Sequence, residues 1–366
     1  MFRNEKGEIR SGWMIAGLFI IILTAVQILS LPVMAISQSI LVKSGDLDLN
    51  TTTLTPYGKE VMGMVGNLLV LIQELCLILL PIFVWKFFIR HPLHEMGLKS
   101  IKRHWKEMLT GLAFGLVSIT IVFFALILTK NASIDSWKPE FTIDLLIGFV
   151  LYVSIGFAEE IFSRGFVMSV LRPTKNYALM FIVPSALFTI MHAGNANTGL
   201  LPFINLFLAG LLFSYIYFKS GNLWMCIGYH IMWNFFQGNI FGFVVSGQES
   251  TGIFTTRIQT GNLLNGGDFG PEGGLFFTLI LAAGFLFTTF YYRNSNYQFL
   301  SEGTEIMDVT AVKKAAPVQG KSEKSIRDIT AAVNLRTIEN SRNAARQDEA
   351  GPADATETVK DETQSQ

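Results

Sequence analysis

Residues 141–171 read FTIDLLIGFVLYVSIGFAEEIFSRGFVMSVL. The run is long enough to cross a bilayer, which takes about 20 apolar residues, yet it carries Glu159 and Glu160 in its interior and Arg164 just behind. An ionisable side chain inside a spanning helix costs roughly 2.5–3.5 kcal/mol on insertion scales, so something must offset the acids. Helical spacing supplies one partner: Arg164 follows Glu160 at i+4 with the acid N-terminal, the favourable order for an ion pair. Glu159 is turned about 100° from its neighbour and must find its partner on another helix or in trapped water.

Half of the 366 residues are hydrophobic, 15% are charged and Phe alone accounts for 31, a composition that excludes an ordinary soluble domain. The formal net charge of zero hides a segregation of charge into the N-terminus, the loops and the C-terminal tail, with nothing that suggests nucleic-acid binding. Cys76 and Cys226 both fall in apolar runs, where a small buried hydrophobe is the expected role. The chain therefore reads as all-α, a polytopic bundle of about eight transmembrane helices, each near the length a bilayer requires. Their spans are 13–42, 61–88, 108–129, 141–171, 177–192, 200–218, 223–245 and 274–292. Residues 1–293 form the membrane domain and 294–366 a disordered cytoplasmic tail, polar and without aromatics after Phe299 apart from a weak helical pattern over 326–338. The first span, preceded by Arg3, Lys6 and Arg10, is longer than a signal-peptide core and is expected to be retained.

Lys86, Arg90, Lys99, Lys102, Arg103 and Lys106 fill the loop after the second span, which places that loop and both termini in the cytoplasm of a multi-pass cell-membrane protein. His91, His94 and His104 lie in this basic loop and are expected to be solvated. On the opposite side, 246–273 holds seven glycines and reads as a long irregular loop, either a connector or a cover over a site.

Three further polar residues lie within apolar runs: His192 at the end of the fifth, and His230 with Asn234 one turn later in the seventh. Counted at about 1.5 Å per residue from the cytoplasmic ends, Glu159 lies roughly 18 Å deep, His192 roughly 24 Å and His230 roughly 15 Å. Each alone has a plain explanation in packing or interhelical hydrogen bonding; together they make a reactive set. A desolvated carboxylate suits a general base that takes a proton from water, a histidine beside it holds that water, and His230 with Asn234 can donate to an oxyanion. The same donors, Glu159, His192 and His230, also suit a divalent metal such as zinc, although no HExxH pattern is present.

Glu159-Glu160-Ile161-Phe162-Ser163-Arg164, Phe188-Thr189-Ile190-Met191-His192 and His230-Ile231-Met232-Trp233-Asn234 resemble, in order, the EExxxR, FxxxH and HxxxN motifs of the CPBP (Abi) intramembrane proteases, relatives of the type II CAAX prenyl endopeptidases. The resemblance covers 141–245. It implies an endopeptidase (EC 3.4) acting on a peptide or protein substrate at the lipid bilayer. In that reading Glu159 and His192 activate water, His230 and Asn234 stabilise the oxyanion, and Glu160 and Arg164 support the site; the cofactor is left open. Two other functions fit the same polar cluster: a non-enzymatic immunity or scaffold protein, and a proton-coupled transporter in which buried acids and histidines form a relay.

Overall fold

Apolar runs become helices here because backbone groups in lipid must satisfy one another within the segment. The computed structural model describes residues 11–258 and 260–301, within a unit that spans Met1–Glu305. Arg3, Lys6, Arg10 and the part of the tail from 302 onward, including the pattern at 326–338, lie outside the described residues.

The helices are α1 (Ser11–Ser44), α2 (Pro56–Phe83), α3 (Ile101–Leu128), α4 (Ile143–Glu160), α5 (Tyr177–Met191), α6 (Leu200–Ser220), α7 (Trp224–Phe235) and α8 (Leu275–Tyr291). Three of them run on without a break into π-helical stretches: Val84–Ile89 after α2, Ile161–Met168 after α4 and Phe236–Ile240 after α7. Capping follows the sequence. Thr55 accepts from the Gly58 amide (3.0 Å) ahead of Pro56, and Asn176 accepts from the Leu179 amide (3.2 Å).

Among the described residues five helical stretches are long and apolar enough to cross a membrane, while Tyr177–Met191 and Leu275–Tyr291 are shorter. The expected seventh span, 223–245, is also cut short. Its helical path ends at Ile240, and Gly242 then turns the chain with φ +69°, its open face filled by the Phe254 carbonyl. At about 1.5 Å per residue, the 15 residues of α5 rise about 22 Å, less than the roughly 30 Å of a hydrocarbon core. Each of the eight expected spans thus contains a helix, five of them in stretches long and apolar enough to cross a membrane and three shorter.

The helix ends sort into two sets. In one, Ser11 donates to the Val170 carbonyl (2.9 Å), Arg172 to the Glu95 carbonyl (2.9 Å) and Trp224 to the Lys99 carbonyl (3.0 Å). In the other, Asn195 donates to the Ser246 carbonyl (2.8 Å) and Asn262 to Asn131 (2.7 Å). A short ribbon joins the second set: β3 (Ser133–Trp137) pairs antiparallel with β4 (Phe254–Arg257), and a smaller hairpin of β1 (Leu47–Asp48) and β2 (Thr53–Leu54) closes the α1–α2 turn.

Several expectations change on this evidence. The loop 246–273 is partly regular, because β4 gives it a ladder partner and its last turn is anchored by buried Glu272. His91 and His104 are not simply solvated: their Nδ1 atoms lie 2.8 Å from Glu95 and 3.2 Å from Glu107. Phe299, within the stretch expected to be tail, is buried against Tyr217 and Phe218 and beneath the Arg172 guanidinium.

The site hangs on the contact between α3 and α7. A Cβ on Gly111 would sit 2.3 Å from the Met225 carbonyl oxygen, and one on Gly115 would sit 2.3 Å from that of Tyr229. From the other side, Gly228 faces the Met108 carbonyl at 2.7 Å. Small residues let these backbones touch, the usual device for helix association in lipid, and they fix the height of His230 and Asn234.

Candidate active site

Glu159 ends the regular part of α4, His192 caps α5, and His230 and Asn234 share one face of α7. The helix α5 stops at His192 because Gly194, Asn195, Asn197 (φ +58°) and Gly199 follow. A helix that ends at this depth leaves backbone that must be buried in protein or line a cavity. All four side chains border one cavity of about 870 Å³. It follows α4 from Asp144 through Leu151 and Ile155 to Glu159, and is closed by Phe188, Trp233 and Phe277.

The Glu159 carboxylate stands between two imidazoles: Oε1 is 3.9 Å from His192 Nε2 and Oε2 is 3.8 Å from His230 Nε2. Both gaps are too wide for a direct hydrogen bond and suit a bridging water. Among the described residues Oε2 of Glu159 is buried and has no protein partner.

Each imidazole is held by its far nitrogen. His192 Nδ1 donates to the Phe188 carbonyl at 2.8 Å; a carbonyl only accepts, so the neutral ring presents an Nε2 lone pair to the Glu159 side. His230 Nδ1 lies 3.1 Å from Glu160 Oε1, the same oxygen that receives Arg164 at 3.1 Å. Glu160 and Arg164 are fully buried. The guanidinium also donates to the Gly210 carbonyl (3.2 Å) and lies over the rings of Phe188 and Phe213. Glu160 thus neutralises Arg164 and orients His230, a second duty that the i+4 spacing did not reveal. Asn234 is 7% exposed and its side chain borders the cavity.

In donor type, two imidazoles and a carboxylate suit zinc, and their outer nitrogens are anchored as metal-ligating histidines usually are. In position they fall short: among the described residues no group of three or more His, Cys, Asp or Glu side chains is arranged to hold a metal ion.

Two buried acids of this cavity were not marked out by the sequence motifs. Glu74, on α2, is 2% exposed and borders the cavity beside Gln73; its signal was available, since it is the single acid within 61–88 and an ionisable group in a span is a functional candidate. Glu272 accepts from Gln237 (2.9 Å), the Ser246 amide (2.7 Å) and the Ser246 hydroxyl (3.2 Å). Burial raises its carboxyl above the ordinary range, and the Gln237 and Ser246 hydrogen bonds offset part of that. Nothing in its glycine-rich surroundings marked it.

Residues 140–236 match the family model described as Rce1-like, type II CAAX prenyl endopeptidase Rce1-like. The match covers 97 of the 366 residues and marks this stretch as similar to that family. The matched stretch contains Glu159, Glu160, Arg164, His192, His230 and Asn234 and leaves Glu74 and Glu272 outside. The family it resembles is one of proteases, and five of the described helical stretches are long and apolar enough to cross a membrane. Comparisons with curated proteins and with solved structures gave no match.

Proposed function

We propose that this chain is an intramembrane endopeptidase that hydrolyses a peptide bond of a membrane-associated peptide or protein with water activated by Glu159. The observation that carries this reading is the placement of the Glu159 carboxylate 3.9 and 3.8 Å from two imidazole Nε2 atoms at the end of a large cavity.

A water between Glu159 and His192 gives one proton to the carboxylate while its other hydrogen bond is held by the Nε2 lone pair of His192. Its oxygen bonds to the peptide carbonyl carbon. The resulting oxyanion receives the Asn234 amide N–H and an Nε2–H of His230; the latter requires a doubly protonated ring, with Nδ1–H kept on Glu160. Glu159 then passes its proton to the departing nitrogen as the C–N bond breaks, and the new acid loses its own proton to solvent. Donors aimed at an oxyanion in a dry site are commonly worth about 10²–10³ in rate each.

The cavity accompanies α4 from Asp144 to Glu159, about 22 Å at 1.5 Å per residue, enough for roughly seven residues of extended peptide at about 3.3 Å each. The set of helix ends that carries the Lys-rich loop belongs in the cytoplasm by the charge rule. In that orientation both termini are cytoplasmic, α5, α7 and α8 complete the bilayer crossing with the help of packed loops, and the Asp144 end of the cavity faces outward. The deciding experiment is a peptidase assay of the purified full chain on internally quenched apolar peptides, comparing wild type with Glu159→Gln and His192→Ala. Cleavage by Glu159→Gln at the wild-type rate ends the proposal. A parallel arm with a chelator is expected to retain activity, because the water is held by Glu159 and His192.

A further inference from the structure

The catalytic cavity has an unbalanced lining. Glu74, Asp144, Glu159, Glu249 and Glu272 border it, and among the described residues of the lining there is no Lys or Arg. Acids alone would prove little, since surface carboxylates are ordinarily solvated. Glu74 is different. It stands on α2, 2% exposed, with Oε1 accepting from Gln73 Nε2 at 3.1 Å and Oε2 buried with no partner among the described residues. Glu74 and Glu159 border the same cavity, so the two acids serve one volume.

A buried carboxylate with an empty oxygen is costly unless a donor or a cation reaches it. Arg164 cannot be that cation, because its contacts go to Glu160, Gly210 and two aromatic faces. No Lys or Arg borders the cavity among the described residues, so a Lys or Arg cation that reaches Glu74 comes from a bound molecule. We propose that Glu74 is a specificity-determining residue that receives the cationic side chain of a Lys or Arg near the scissile bond. The inference rests on the protease reading and deepens it: the acidic outer positions Asp144 and Glu249 draw a basic segment in, and Glu74 fixes its register against Glu159. Because α2 lies outside the family-matched stretch, this preference belongs to the chain's own surroundings rather than to the shared motifs.

The test uses the purified full chain and matched internally quenched apolar dodecapeptides that carry, at each position in turn, Lys, its neutral isostere norleucine, or Glu. The expected result is that at one fixed offset from the cut the Lys peptide has a kcat/KM at least tenfold above the norleucine peptide, with Glu the slowest. Glu74→Gln is expected to bring the Lys-to-norleucine ratio close to one, while Glu74→Asp keeps part of it. Wild-type cleavage that ignores Lys, or an unchanged ratio in a folded Glu74→Gln, overturns the proposal. The Lys, norleucine and Glu series on wild type decides the matter even if the variant fails to fold. If wild type cleaves nothing, the protease reading falls. Fluorescence anisotropy of labelled Lys and norleucine peptides then tests Glu74 separately: tenfold tighter binding of Lys, lost in Glu74→Gln, upholds it, and equal affinities sink it.

Discussion

Glu159 and Glu160 are sequence neighbours with opposite structural positions, and exchanging each for Gln should separate chemistry from scaffold. Glu160→Gln removes the anion that Arg164 and His230 share at 3.1 Å each, in a place with no solvent to replace it. Breaking a buried pair from one side typically costs about 3–5 kcal/mol. At roughly 2–4 °C per kcal/mol for chains of this order of size, the midpoint of thermal unfolding should fall by about 10 °C. The His230 ring also exchanges its charged acceptor for a neutral amide oxygen contested by Arg164, and a weakened outer-shell partner commonly costs about 10–100-fold in activity. Glu159→Gln leaves no cation unpaired, since Arg164 and His230 both keep Glu160. It should unfold within a degree or two of wild type yet lose about 10²–10⁴ of its rate, the usual contribution of a positioned base. The assay is thermal unfolding in detergent alongside single-substrate peptidase kinetics. An unfolding midpoint lowered equally by both substitutions, or an active Glu159→Gln, refutes the division of labour.

Other outcomes follow from the same geometry. Asn234→Ala should lower kcat by about 10²-fold with little change in KM, as expected of a donor used mainly in the transition state; steady-state kinetics check it. Gly111→Leu drives a side chain into the Met225 carbonyl 2.3 Å from the Cβ position and should prevent close contact of α3 with α7, abolishing both the folded yield and activity, seen by size-exclusion chromatography. Glu272 has a raised folded-state carboxyl, so the stability it contributes is complete below the ordinary value of 4.5 and is lost as pH rises through its raised value. Glu272→Gln should therefore flatten the decline of unfolding temperature on that alkaline side, and an unchanged slope rules the linkage out.

The helical membrane class was legible because lipid admits few other structures and the apolar runs are long. The helix ends were less so: α7 stops where Gly242 must adopt φ +69° to admit the Phe254 carbonyl, a contact made twelve residues downstream and invisible to a window of hydrophobicity. The convergence of Glu159 with His192 and His230 was anticipated from depth along the helices. The bond from His230 to Glu160 was not, since it depends on how α4 and α7 are rotated against each other. Glu272 shows the limit most clearly, being a loop acid made structural by Gln237 and Ser246, neither of which carries any local pattern.

The widened coil at Ile161–Met168 sets the angular phase between two halves of one rod. Upstream it delivers Asp144 and Glu159 to the cavity; downstream it delivers Arg172 to the Glu95 carbonyl. Removing one residue from this coil would swing everything beyond it by about 100°, so either the cavity or the Arg172 clasp would keep its aim, never both. Its eight residues thus behave as a gear tooth whose count, more than its side chains, cannot be altered.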